Sequence, residues 1–175
     1  MAAMLSPEGS AMIAAWKELY SARRDLAIFF RDQGRTEKVL ALTDQDALEA
    51  AEFARLYPTS TEALFYLADA NFGLAMLRSE SGSAGWEEAY RVAISHGERL
   101  AKMEPANAER RIWIGLARFE LATELERQRR TAAADDERAL ALTACRDGLR
   151  LARASPTTRG DAESCLKKLA RRQDR

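Results

Sequence analysis

The chain of 175 residues holds only four prolines, Pro7, Pro58, Pro105 and Pro156, spaced 51, 47 and 51 residues apart. Proline cannot donate a backbone hydrogen bond and bars its predecessor from the α region, so each marks a place that no helix runs through undisturbed. Even spacing of four residues can arise by chance, and the neighbouring residues therefore decide. Before three of the prolines stand ARLYP (Ala54 to Pro58), AKMEP (Ala101 to Pro105) and ARASP (Ala152 to Pro156). Each reads alanine, a basic residue, two variable residues and proline.

After Pro58 and Pro105 the agreement continues on common offsets. Glu62 matches Glu109, Leu67 matches Ile114, Ala70 matches Ala117 and Phe72 matches Phe119. Leu74 and Ala75 match Leu121 and Ala122, and small Ala68 coincides with Gly115. After Pro7 the echo is fainter, with Trp16 and Leu19 on two apolar offsets. A period of about fifty residues points to a helical repeat array.

Local signals support helices throughout. Met12, Ile13, Trp16, Leu19, Tyr20, Leu26, Ala27 and Phe30 form one broad stripe with helical spacing, and Trp86 to Ala101 carries a second. Sustained alternating apolar runs are absent. Thr59 with Glu62 reads as a capping box and Asn107 as an N-cap. Ser6-Pro7-Glu8 reads as a helix start. The pattern predicts seven helices, near 7–33, 37–56, 60–79, 85–103, 107–130, 135–154 and 159–172. Turns are predicted at Gly34, at RSESGSAG (Arg78 to Gly85) and near Thr131–Asp136.

The block EEAYRVAISHGERLAKMEPANAERRIWIGLA resembles tetratricopeptide-like repeats, closest to the longer bacterial variety of about fifty residues. In that variety a second helix containing Tyr-Arg runs into ERLA, then proline, then a residue and asparagine. ACRDGLRLARASP (Ala144 to Pro156) is similar to the same second helix in the next copy. The match covers about residues 45–156. It departs after Pro105, where Arg110 and Arg111 replace an aromatic, and after Pro156, where TTRGDAESCLKKLARR is short and polar like a capping helix.

The resemblance implies an all-α fold, a right-handed α-solenoid of about three antiparallel helix pairs plus a C-terminal capping helix. As one domain over 1–175, repeat 1 would span about 7–57, repeat 2 about 58–104, repeat 3 about 105–155, and the cap 156–175. First helices would line a concave groove. On the groove offsets the resemblance places Glu62, Phe65, Asp69 and Phe72 in one copy, and Glu109, Ile112, Leu116, Phe119 and Glu120 in the next. Some of these must serve the core. An acidic and apolar groove suits a peptide with basic and hydrophobic side chains.

Other classes of function find little support. His96 is the one histidine, which excludes multi-histidine metal sites, and its place beside Ile94 and Gly97 reads as structural. Glu87-Glu88 and Asp135-Asp136-Glu137 fall at predicted helix starts, where carboxylates favour the helix dipole. There is no phosphate-cradling glycine loop. Cys145 and Cys165 lie in predicted helices without metal or disulfide-framework spacing, and reduced core thiols are expected. Neither an enzyme nor a cofactor nor a metal is therefore expected.

Formal net charge is zero, with 27 basic and 27 acidic residues, which argues against general nucleic-acid binding. The last thirty residues nevertheless hold nine Lys/Arg against four Asp/Glu. No run approaches the roughly 20 apolar residues of a membrane span, and MAAMLSPEGS lacks the features of a secretory signal, so a cytoplasmic location is expected. The expected function is a non-enzymatic scaffold or adaptor that binds a peptide or protein. The alternative is a self-associating structural module, or a regulatory repeat segment of a larger bacterial signalling or effector protein.

Overall fold

A computed structural model describes residues 7–152 and 155–173; the expected cap at Ser6 lies outside the described residues. The described residues form seven α-helices and no strands: α1 (Pro7–Asp32), α2 (Thr36–Leu56), α3 (Thr61–Glu80), α4 (Trp86–Met103), α5 (Ala108–Arg127), α6 (Thr131–Leu151) and α7 (Pro156–Gln173). The all-α class is as expected. Two compact units divide the chain inside α4, the first ending at Ala93 and the second beginning at Ile94.

In the first unit α2 packs against both α1 and α3. Trp16 is the hub of its aromatic core, stacked on Tyr20 and Phe53 at 5.2 and 5.4 Å and meeting Tyr66 edge-on at 4.8 Å. Arg23 reaches from α1 to Asp46 at 3.2 Å and makes a bidentate pair with Glu49, both on α2. Arg78 of α3 pairs with Asp44 of α2 at 2.7 Å.

In the second unit α6 packs against α5 and α7, and α7 also touches α5. The α5–α6 approach is close enough to require glycine at two places. A methyl group on Gly148 would sit 2.6 Å from Ile112 Cγ1 and 3.3 Å from the Ile112 backbone nitrogen. One on Gly115 would meet Cys145 Sγ at 2.3 Å and the Ala141 carbonyl at 3.1 Å. Arg118 of α5 bridges Glu98 of α4 and Glu137 of α6, and the Arg138 guanidinium links Glu126 to α6.

Most offsets matched in the sequence are matched in burial, Phe72 and Phe119 excepted. Leu67, Ala70, Leu74 and Ala75 are buried in α3, and Ile114, Ala117, Leu121 and Ala122 are buried in α5. The turn before each helix is also the same. Tyr57 carbonyl accepts from Ser60 N–H at 3.0 Å across Pro58, and Glu104 carbonyl accepts from Asn107 N–H at 2.9 Å across Pro105. Proline sits at the second turn position, where its fixed φ fits. Asn107 caps α5 as expected, accepting from the Glu109 and Arg110 amides. The cap of α3 is Ser60 rather than Thr59: its hydroxyl accepts from Ala63 N–H at 3.1 Å, because the proline turn needs two residues beyond Pro58 before the helix opens.

A second recurrent device closes the first helices. Gly34, Gly82 and Arg129, spaced 48 and 47 apart, all have positive φ, at 69°, 68° and 61°. In each case the following amide bonds back to a carbonyl five residues earlier: Arg35 to Phe30, Ser83 to Arg78 and Arg130 to Leu125. This is the left-handed helix C-terminal cap that glycine ordinarily supplies. It lets α6 begin at Thr131, where a loop to Asp136 was expected; the Thr-Ala-Ala-Ala run has the high helix propensity to fill those positions.

Two other expectations need correction. Pro156 does not end a helix and leave a gap. It is the first residue of α7, with Ser155 Oγ accepting from Thr158 N–H at 3.3 Å. The cysteines are buried core residues but not separate thiols: Cys145 and Cys165 are joined as a disulfide with a Cα–Cα distance of 6.1 Å. They lie equally far on either side of Ser155, so the turn between α6 and α7 brings them opposite one another.

Candidate functional site

Each unit carries one cleft lined by residues of the predicted set. In the first unit a cleft of about 330 Å³ opens among α1, α2 and α3. Asp69 and Phe72 line it, together with Tyr20 and Arg24 of α1 and Asp46 of α2. Asp69 is half-buried, accepting from the Tyr20 hydroxyl at 2.9 Å and from Arg24 at 3.4 Å. Burial, with the Asp69 charge acting alongside it, pushes the Tyr20 phenol far above its usual range.

The charge on α2 is set by opposing effects. Burial raises the Asp46 carboxyl, although the hydrogen bond from Arg23 pulls against it. On the more exposed Glu49 the Arg23 hydrogen bond dominates and lowers the carboxyl. Arg23 thus neutralises the acidic wall from behind. Arg24, with a 62% exposed side chain, and exposed Arg31 are the cations lining the cleft. The apolar part of the wall comes from Ile28, Val39 and Met76.

In the second unit a cleft of about 350 Å³ lies along α5 and α7. Glu109, Ile112 and Leu116 of the predicted set line it, with Trp113 beside them and Asp161 and Lys168 on α7. Ile112 is only 4% exposed and serves as floor, joined to the core that contains Ala141, Cys145 and Leu169. Arg110, which departs from the repeat pattern, is held by Glu104 at 3.0 Å.

The remaining predicted residues stand apart from the clefts. Glu62 is exposed on the first turn of α3, and Phe65 and Glu120 are half-buried. Phe119 is a core residue at 9% exposure. Tyr20 and Asp46 have no counterpart in the predicted set, Tyr20 standing level with small Ala68 and Asp46 lying on α2, while Arg24 is missed because the first repeat is registered on Pro7. Registering it on Gly34 instead sets Arg24 level with Phe72 and Ile28 level with Met76, all four in the same cleft.

His96 is half-buried in α4, with its imidazole lowered by burial and by the charge of Arg99, so it is neutral near pH 7. Among the described residues no group of three or more His, Cys, Asp or Glu side chains is placed to hold a metal ion, and no helix is long and apolar enough to cross a membrane. The chain matches no protein-family model and no curated protein.

Proposed function

We propose that the chain is a non-enzymatic interaction module, a tetratricopeptide-like solenoid whose first helices present binding clefts to an extended peptide or a partner protein. The observation that carries this reading is the recurrence of paired devices. A left-handed cap ends α1, α3 and α5, and α3, α5 and α7 begin at residues 61, 108 and 156, spaced 47 and 48 apart. Each unit's cleft is lined by two of these first helices, α1 with α3 and α5 with α7. Both clefts set carboxylates beside apolar residues, Asp69 and Glu80 in the first and Glu109 and Asp161 in the second. Although Arg24, Arg31 and Lys168 also line them, the carboxylates favour ligands carrying apolar anchors beside Lys or Arg. The Cys145–Cys165 disulfide suits an oxidising compartment better than the cytoplasmic location expected from the sequence.

The test is a peptide-display selection on the full chain, followed by affinity measurement on purified Asp69→Lys and Glu109→Lys variants. Selected peptides should pair apolar residues with Lys or Arg, and either reversal should weaken binding about tenfold, near the loss of one charge-assisted contact. Selection of no peptides, or affinities that ignore both reversals while helicity is kept, would remove this reading.

A further inference from the structure

Helix α1 carries a surface that neither cleft uses. Met12, Ala15, Leu19, Ala22, Leu26 and Phe29 follow one another at alternating intervals of three and four, and every one is exposed. The large members are 49% (Met12), 44% (Leu19), 41% (Leu26) and 54% (Phe29) accessible. Intervals of three and four keep one seam facing a neighbouring helix along its whole length. The seam extends over 18 residues, about 27 Å at the helical rise. It lies beside, and not on, the face that packs inward through Ile13, Trp16 and Tyr20.

Register explains what such a seam is shaped for. Aligned on the left-handed caps, Ala15, Leu19, Ala22 and Leu26 of α1 correspond to Ala63, Leu67, Ala70 and Leu74 of α3. In α3 those four are at most 7% exposed, in a helix packed on α2. The next step along the chain corresponds to Ile114, Ala117 and Leu121 of α5, at most 4% exposed. A face that is buried wherever it recurs is exposed on α1 among the described residues, although Met12 at its start accepts from the Tyr57 hydroxyl at 3.2 Å. The alternation of large and small residues suits a helix, whose side chains can enter above Ala15 and Ala22.

The charges beside the seam select the helix. On its outer edge stand Glu18, Asp25 and Asp32, seven residues apart, all exposed and in no ion pair among the described residues. The cations Lys17, Arg24 and Arg31 lie across the inward-packing face, away from the seam. A second copy of α1 laid antiparallel would set the three carboxylates against their own equivalents. Laid parallel, it would offer them Arg23, already held by Asp46 and Glu49, and Phe30. Self-pairing is therefore disfavoured, and a helix with basic flanks is favoured.

We infer that the Met12–Phe29 face of α1 is the docking surface for an amphipathic helix of another protein whose apolar stripe is bordered by Lys or Arg. This is independent of the clefts. The probe is a synthetic 21-residue helix with leucine at every seam position and lysine at the flanking positions, compared with its glutamate-flanked twin. Binding to the full chain is read by fluorescence anisotropy at low and physiological salt. The lysine helix should bind at least about tenfold more tightly than the glutamate helix, in line with flank charges setting partner choice. Leu19→Gln with Leu26→Gln should abolish binding while circular dichroism is unchanged, because both residues are exposed. Glu18→Lys with Asp25→Lys should reverse the preference. Equal affinity for the two helices, no binding by either, or a preference that survives the reversal would overturn the inference. A chain that sediments as a dimer and becomes monomeric in Leu19→Gln/Leu26→Gln would overturn it too, by assigning the seam to a second copy.

Discussion

Gly148 shows how narrow the tolerance is at single positions. Its absent side chain lets α6 lie against Ile112 of α5, and a methyl group would meet both a side chain and a backbone atom. The backbone atom cannot swing away, so the helices must separate. Gly148→Ala should therefore lower stability by about 1–3 kcal/mol despite alanine's better helix propensity, read as a drop in the urea midpoint with the slope kept. A rise in the midpoint would mean that the contact relaxes freely. Tyr20 gives a different kind of residue-level test. Its phenol is raised in the folded state, so the stability it contributes is intact below the unfolded value of about 10. That contribution is lost as pH rises above this value, where the unfolded chain ionises first and is favoured. Tyr20→Phe should lose less stability between neutral pH and pH 11 than the natural chain. Tyr66, raised by burial, leaves part of the alkaline slope in place. Identical slopes would mean that the Tyr20 phenol is not raised in the folded protein.

At the scale of elements, the caps separate what the sequence made legible from what it concealed. The seven helices could be read from apolar spacing, and Asn107 from its place after Pro105, because both are local chemistry. Repeat register was misread because proline plays two parts. Pro58 and Pro105 stand in turns three residues before a helix, whereas Pro7 and Pro156 are themselves first helical residues. Counting from prolines therefore shifts the first repeat by three residues and hides Arg24 in the candidate cleft. The better marker was present as QGRT (Gln33 to Thr36) and QRRT (Gln128 to Thr131), but arginine conceals a left-handed cap. The disulfide was hidden for a related reason: twenty residues is no motif until the turn at Ser155 is known. Arg129 stands where its equivalents are glycine and carries the steric cost of positive φ. Arg129→Gly should stabilise the protein by about 1 kcal/mol, since glycine adopts the positive φ without the steric cost of a side chain. Asn107→Ala should cost about 1 kcal/mol by leaving the Glu109 and Arg110 amides uncapped. Thermal melts of the two variants should move in opposite directions.

Across the whole molecule, the division inside α4 predicts that stability is a regional property. Repeat arrays are held by each segment and its nearest neighbours, so a local loss need not spread through the chain. The first unit has its aromatic core around Trp16, and the second has the glycine-mediated α5–α6 contact and the Arg118 bridge. None of those groups is shared. Native-state hydrogen exchange on Gly148→Ala should therefore show faster opening in α5 and α6 than in the natural chain. Amides of α2 and α3 should keep nearly their original protection under the same conditions. The converse experiment strikes the first unit: Trp16→Ala should expose α2 and α3 first. If either substitution accelerated exchange equally in both units, the chain would unfold as one cooperative body. Binding at the α1 seam would then protect α5 and α6 as strongly as α2. With regional stability, protection by a docked helix should instead be greatest in α1 and fade within the first unit, so that one exchange map reads both the independence of the two units and the place where a partner lands.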